Sequence, residues 1–384
     1  MRNTASRERT LRKRLAVLSA ALVSALLITG CGGQASNGTS GATAPTTGST
    51  ETSGGGESSG GASGLVEDTG QKLTFGLVMI DLTNQFFVDM MEGGAQAAED
   101  YNVDLIWKSA DGSVDNQISL MENFIEQKVD AILVNPIESS ALAGTIEQAS
   151  AAGIPTITMA GEVDVPTNYT TVYNDEHNNA IIADILAKAI GEEGKVALLY
   201  GNKGNLVSDL RQKGFDDAMS KYPNITVVEQ PMNWDPPTGL RVMQDLLAAN
   251  PDLKAVHCVS DAVTLAAFEA IRAAGKEGEI VVTSYDGNPA GNDAVKDGRF
   301  LANVLTGAKK TGYWNVKVAV ELVLKDRPAE HVLNLPTHIV MLPDEAAKYA
   351  DILTNESVID PDEANAIGDS YRDELYDPNL RSGS

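Results

Sequence analysis

Polar and aromatic residues cluster where short apolar runs end. After residues 73–80 comes Asp81-Leu82-Thr83-Asn84-Gln85-Phe86-Phe87, and after 131–134 comes Asn135-Pro136. Further along stand Asn174-Asp175, Arg211, Trp234, Ser260-Asp261 and Tyr285-Asp286-Gly287. The set combines aromatic faces, amides, carboxylates and one guanidinium. Each hydroxyl of a polyol both donates and accepts, so planar polar groups can bond hydroxyls in pairs. The C–H faces of a sugar ring pack on aromatic rings. This inventory therefore suits a small polyhydroxylated molecule.

Each residue has a plainer reading as well. Phe86 and Phe87 open an amphipathic helix and could belong to its core face. Asn135 before a proline and Asp286 before a glycine could shape turns. Asn174 could serve only as a helix N-cap, and Arg211 could be a solvated helix residue.

Catalytic signatures are scarce. Gly201-Asn202-Lys203-Gly204 follows a strand pattern but is neither a dinucleotide fingerprint nor a phosphate-binding loop. No GxSxG stands between a strand pattern and a helix pattern, where a nucleophile elbow would sit. His177, His257, His331 and His338 show no metal spacing. Asp81 and Asp286 as a glycosidase pair would rest on residue type alone. The reading is binding without catalysis, cofactor or metal.

The positioning elements are legible as a repeating pattern. Apolar runs at 73–80, 103–107, 131–134 and 155–159 alternate with helix-period segments at 86–100, 116–127 and 142–152. A second series has strands at 195–200, 226–231, 255–259 and 280–285. Its helices fall at 178–189, 208–221, 239–249 and 262–274. Such alternation predicts parallel sheets wound by helices, and two series predict two α/β lobes. Gly153, Gly191 and Gly275 follow helical runs as C-terminal stops, and Asp261 reads as an N-cap. Open parallel sheets bind ligands at the carboxyl ends of their strands, so facing lobes would bind between them.

With those elements placed, residues 73–345 resemble the ribose-binding-protein-type periplasmic sugar-binding proteins. The similar stretches are Asn84-Gln85-Phe86-Phe87, Leu133-Val134-Asn135-Pro136, Gly239-Leu240-Arg241-Val242-Met243-Gln244 and Tyr285-Asp286-Gly287. The resemblance implies two doubly wound parallel-sheet lobes joined by a three-segment hinge that closes on ligand. Lobe 1 would be 71–174 and 308–338, and lobe 2 would be 175–307 and 339–345. Phe87, with Phe86, would stack on one ring face and Trp234 on the other. Asn84 and Asn135 would bond hydroxyls from the first lobe, Arg211 and Asp286 from the second, with Asn174 as a further candidate. Ser260 stands where the family often has Asn. Two polar clamps are missing: Ala160-Gly161 replaces an Asp-Arg pair, and Gly307 stands in the place of a glutamine. The implied partner is the permease of an ABC importer. A sensor kinase or chemoreceptor would be served by the same binding site.

The ends of the chain complete the picture. The first thirty residues carry six basic residues and one Glu, all before Leu15, and then an apolar stretch from Leu15 to Ile28 that leads into Ile28-Thr29-Gly30-Cys31. This resembles a bacterial lipobox, so 1–30 reads as a signal peptide and Cys31 as the lipidated first residue. Residues 31–70 read as a flexible Gly/Ser/Thr tether, with a span of about 35 Å. The predicted product is an extracytoplasmic monomer held to the membrane by lipid alone. The 384 residues carry a formal net charge of −24, which repels nucleic acid. Cys258, in an apolar run, reads as a small buried hydrophobe. The segment 346–384 is acidic, with Glu356, Asp360, Asp362, Glu363, Asp369, Asp373 and Glu374. It reads as an added helix or an extended surface segment.

Overall fold

The computed structural model describes residues 72–324 and 331–369. Residues 1–70, which hold the expected signal peptide, Cys31 and the expected tether, lie outside the described residues, as do Asp373 and Glu374.

The first series folds into strands β1 (Leu73–Met79), β2 (Val103–Ser109), β3 (Ala131–Val134), β4 (Thr156–Met159) and β5 (Asn168–Val172). Between them run helices α1 (Gln85–Tyr101), α2 (Val114–Gln127) and α3 (Ala143–Ala151). The second series comprises α4 (Asp175–Ala189), β6 (Gly194–Tyr200), α5 (Leu206–Met219), β7 (Ile225–Pro231) and α6 (Pro236–Ala249). It continues with β8 (Leu253–Cys258), α7 (Asp261–Ala273), β9 (Val281–Thr283), α8 (Pro289–Lys296) and β10 (Asn303–Leu305). The chain ends through α9 (Ala308–Val323), β11 (Val332–Asn334), β12 (His338–Val340), α10 (Pro343–Ala346), β13 (Val358–Ile359) and α11 (Pro361–Asp369).

The first sheet is parallel throughout, in the order β11-β5-β4-β3-β1-β2. Strand alternation divides its side chains between two cores. Phe75, Leu77 and Met79 face α1 and α9, whereas Val78, Ile132 and Val134 face Met121 and Phe124 of α2. Helices therefore cover both faces. The second sheet runs β7-β6-β8-β9. Single bridges Thr283–Ala302 and Asp286–Leu305 carry it on to a small sheet, β10-β12-β13. The chain passes between the two bodies three times: from β5 to α4, from β10 to α9, and from β11 to β12.

Three features differ from the sequence expectation. Strand β5 and the elements from α8 onward lacked a clear period. Strand β9 ends at Thr283, which releases Tyr285 and Asp286 from the sheet. Asp261 is the first residue of α7, not its cap. Ser260 holds the cap position, while the Asp261 carboxylate accepts from Ser284 Oγ at 2.5 Å and Asn288 N at 2.8 Å. The acidic segment does hold an added helix, α11, and is integrated: β13 extends the small sheet, Asp360 accepts from the Asp362 and Glu363 amides at the start of α11, and Ala364 packs with Leu305 and Val340.

His257 lies fully buried on β8, stacked on Phe215 with ring centroids 5.4 Å apart. Asn179 uses Nδ2 to donate to Asp175 O, so its Oδ1 accepts from His257 Nε2 at 2.8 Å. Nδ1 then accepts from Thr283 Oγ1 at 3.0 Å. Burial first, and the Arg211 charge second, push the imidazole pKa down to about 3. Its folded pKa lies below the unfolded value, so the folded state binds fewer protons and stability falls as pH drops through 6.5. Between pH 6.5 and 5 this group should cost about 1.5 kcal/mol. Denaturant melts of the wild type and His257→Gln at both pH values check this. Parallel pH profiles for the two proteins would count against it.

Candidate functional site

Each sheet reverses its winding direction once, between β1 and β3 in the first and between β6 and β8 in the second. At such a switch the loops on adjacent strands diverge and leave a crevice. The loops after β1, β3, β6 and β8 meet there. They enclose a cavity of about 80 Å³ lined from one side by Asn84, Phe86, Phe87 and Asn135, and from the other by Arg211, Trp234, Ser260 and Asp286. A single water needs about 10–15 Å³ on this measure, so the space holds several waters or one compact ligand.

Asp81 builds the first wall by local bonding. Its Oδ1 accepts from Thr83 N at 2.7 Å and Asn84 N at 2.8 Å, which turns the chain into α1. Asn84 then caps that helix, its Oδ1 accepting from Phe86 N at 3.0 Å. Its Nδ2 is the group left for the cavity. Phe86 and Phe87 meet edge to face, 5.8 Å between centroids. Both are half-buried against the first core, so they combine packing with a face toward the cleft. Asn135 donates from Nδ2 to Met159 O at 2.7 Å, but its buried Oδ1 has no partner among the described residues. Buried polar atoms rarely remain unpaired, and this one lies at the cavity wall.

The second wall centres on Arg211, which is 3% exposed. Nε donates to Asp175 Oδ1 at 2.9 Å, while Nη1 donates to Val259 O at 2.7 Å and Asp286 Oδ1 at 3.1 Å. The guanidinium lies 3.7 Å from the Tyr285 ring centroid. Burial opposes its charge, but Asp175, Tyr285 and Asp286 outweigh burial and hold it firmly protonated. Among the described residues Nη2 makes no hydrogen bond, so it is available to a ligand. Burial raises the Asp286 carboxyl pKa, and the bonds from Arg211 and Ser260 counter that rise. Asp286 is thus engaged by Arg211, and Asp81 by its own turn.

Trp234 occupies a tight loop with φ of +58°. Its ring packs against Gly201: a Cβ at 201 would fall 2.2 Å from the indole. Only glycine lets the ring settle there, half-buried, at the cavity edge.

One predicted residue is not brought in. Asn174 is exposed just before α4 and does not line the cavity. Its neighbours do the work, Tyr173 as a wall residue and Asp175 as the Arg211 partner. Asn205 and Val207 also line the cavity without having been anticipated. Asn205 lies in the glycine-bearing loop after β6, whose position at a strand end was the available signal. Ala160, where the resemblance expects a charged clamp, lines the wall with φ of +54°. Cys258 is buried, and burial pushes its thiol up to about 12.

Residues 75–327 match the family described as periplasmic binding protein domain. The chain is 31% identical over 255 residues to the ribose import binding protein of Salmonella typhimurium, covering 66% of this chain and 86% of that one. A periplasmic solute-binding protein of an ABC transporter from Actinobacillus succinogenes, solved with bound D-allose, is 29% identical with a TM-score of 0.67. The match covers 72% of this chain and all of that one. An ABC transporter solute-binding protein from Bacillus halodurans with bound myo-inositol is 25% identical with a TM-score of 0.66, over 74% of this chain and 100% of that one.

The Arg211 arrangement makes a direct prediction. Arg211→Met leaves the Asp175 and Asp286 carboxylates buried without their cation, and should cost about 3–5 kcal/mol of stability in a denaturant melt. Adding Asp175→Asn and Asp286→Asn should recover part of the loss. A loss below about 1 kcal/mol for Arg211→Met would contradict the role given to the triad.

Proposed function

Because the chain belongs to the periplasmic binding protein domain family, whose members are substrate-binding proteins rather than enzymes, we propose that it is the lipid-anchored binding component of an ABC sugar importer. Its ligand is a monosaccharide or related polyol, held between the lobes and passed unchanged to the permease. The observation that carries this reading is the cavity itself, where aromatic faces from two lobes and the unpaired Asn135 Oδ1 converge. The ring would lie between Phe87 and Trp234. Asn135 Oδ1 would accept from one hydroxyl, Arg211 Nη2 and Asn84 Nδ2 would donate to others, and Ser260 and Asp286 would complete the second wall. The importer role is supported by the relatives named above.

We take the lobes as 71–174 with 308–338, and 175–307 with 339–345, the described residues after 345 adding to the second. Because both lobes contribute ligand contacts, binding favours the closed arrangement by the ligand's differential affinity for it. Lipidation at Cys31 would anchor an extracytoplasmic monomer, with the tether giving it reach. Among the described residues no helix is long and apolar enough to cross a membrane.

Calorimetry and thermal shift with D-ribose, D-allose and myo-inositol test the reading, since a ligand that binds only the folded state raises the melting temperature. At least one should bind and be recovered unchanged by mass spectrometry after prolonged incubation. Steady turnover would overturn the proposal in favour of an enzyme. Trp234→Ala should weaken that ligand about thirty-fold to thousand-fold, with a stability loss well below the roughly 3–5 kcal/mol of a core tryptophan. Unchanged affinity with a large stability loss would remove Trp234 from the site. Separately, Cys31→Ala should move the protein from the membrane pellet to the soluble fraction. Full retention in the pellet would refute lipid anchoring.

A further inference from the structure

Gly307 and the acidic C-terminal segment meet at one place. A second cavity, of about 210 Å³, lies beside the first, and Phe86 and Asp286 line both. Its other walls include Asp89 on α1, Gly307 before α9, and Asn365 on α11. Gly307 has φ of +78° and no side chain to occupy the space, and a Cβ there would come within 3.2 Å of the Lys310 side chain. A glutamine at this position would have to displace Lys310 and would intrude on the cavity.

We propose that this compartment is a second subsite, and that a two-ring or glycosylated polyol binds more tightly than its one-ring parent by filling it. The inference rests on the sugar-binding reading of the first cavity and extends it. If the first compartment holds one ring, the second, with more than twice the volume, has room for another. Its polar groups suit hydroxyls. Asp89 is half-buried, with Oδ1 accepting from Gln85 Nε2 at 2.7 Å. Asn365 is fixed by Asn292, which donates to its Oδ1 at 3.0 Å. Helix α11 is itself fastened, by the buried Ala364 and by Lys296 donating to Asp362 at 2.5 Å. The C-terminal segment therefore forms one wall of this compartment. Asp89 belongs to the first lobe and Asn365 to the second body, so a substituent here would also bridge the two and favour closure.

The test is calorimetry on the full-length mature chain. The one-ring probes are myo-inositol, D-glucose and D-galactose. The two-ring probes are galactinol, maltose, trehalose and melibiose. At least one two-ring ligand should bind ten-fold or more tightly than its one-ring parent. Asn365→Trp, which fills the compartment from one side, should abolish that advantage while changing the parent's affinity less than three-fold. Asp89→Leu, on the opposite wall, is the second variant should the first fail to fold, and it should reduce the same advantage at least ten-fold. If one-ring ligands bind and every two-ring ligand binds more weakly, the second subsite is refuted and the sugar-binding reading stands. An advantage untouched by both variants also refutes it. If neither ligand class binds, the sugar-binding reading falls as well.

Discussion

The ion triad of Asp175, Arg211 and Asp286 organises the second wall of the cleft. It ties together the start of α4, the middle of α5 and the loop after β9, and Arg211 adds the Val259 carbonyl after β8. A lysine offers its donors from a single nitrogen, whereas the guanidinium spreads them over three, so Nε and Nη1 bind the protein and Nη2 is left for the cavity. Buried charges add little net stability, since desolvation offsets much of their attraction. What the triad provides is geometry. It fixes Asp286 at the cavity wall, and the Tyr285 ring beneath Arg211 is held in turn by Asn178 Nδ2 donating to its hydroxyl at 3.0 Å. With Nε and Nη1 engaged in the protein, the remaining Nη2 is aimed without further freedom.

Contact between the two halves is built from groups with double duties. Asn205 caps α5, its Oδ1 accepting from Ser208 N at 3.1 Å, while its Nδ2 donates to Pro136 O at 3.3 Å across the cleft. Tyr173 and Thr311, on two of the crossing strands of chain, share a hydrogen bond, and Lys310 donates to Pro336 O at 2.8 Å on the third. The crossings are thereby bonded to one another. Long-range order in the site comes from this fastening as much as from either sheet.

The fold was readable because its signal is local. Alternating runs such as 131–134 and 116–127 need only hydrophobic period and helix stops, and Gly153, Gly191 and Gly275 do follow helices in the left-handed region. The site was readable where strand ends could be counted, as for Asn84, Asn135 and Ser260. It was not readable where the deciding fact is direction. Asn174 and Tyr173 are adjacent, yet one faces solvent and the other the cavity. Asn205 joined the site only because the loop after β6 reaches across the cleft. Asp261 looked like a cap by its position, but Ser284 and Asn288 claim its carboxylate. Strand β5 escaped notice because its Asn and Thr residues break the apolar pattern, their side chains being paired instead with Thr156, Thr158 and Asn315.

The threading of the chain has a consequence for synthesis. The first sheet takes its edge strand from Val332–Asn334, and the apolar side of α1 is covered by α9, whose backbone approaches so closely that a Cβ at Gly93 would fall 1.8 Å from Lys309 O. A nascent chain that has delivered only its first two hundred residues therefore holds a half-finished lobe, with β5 unpaired along one edge and α1 uncovered. That lobe cannot reach its full stability until the ribosome has nearly finished. Chain order thus delays completion of the first lobe until residues 332–334 can join its edge.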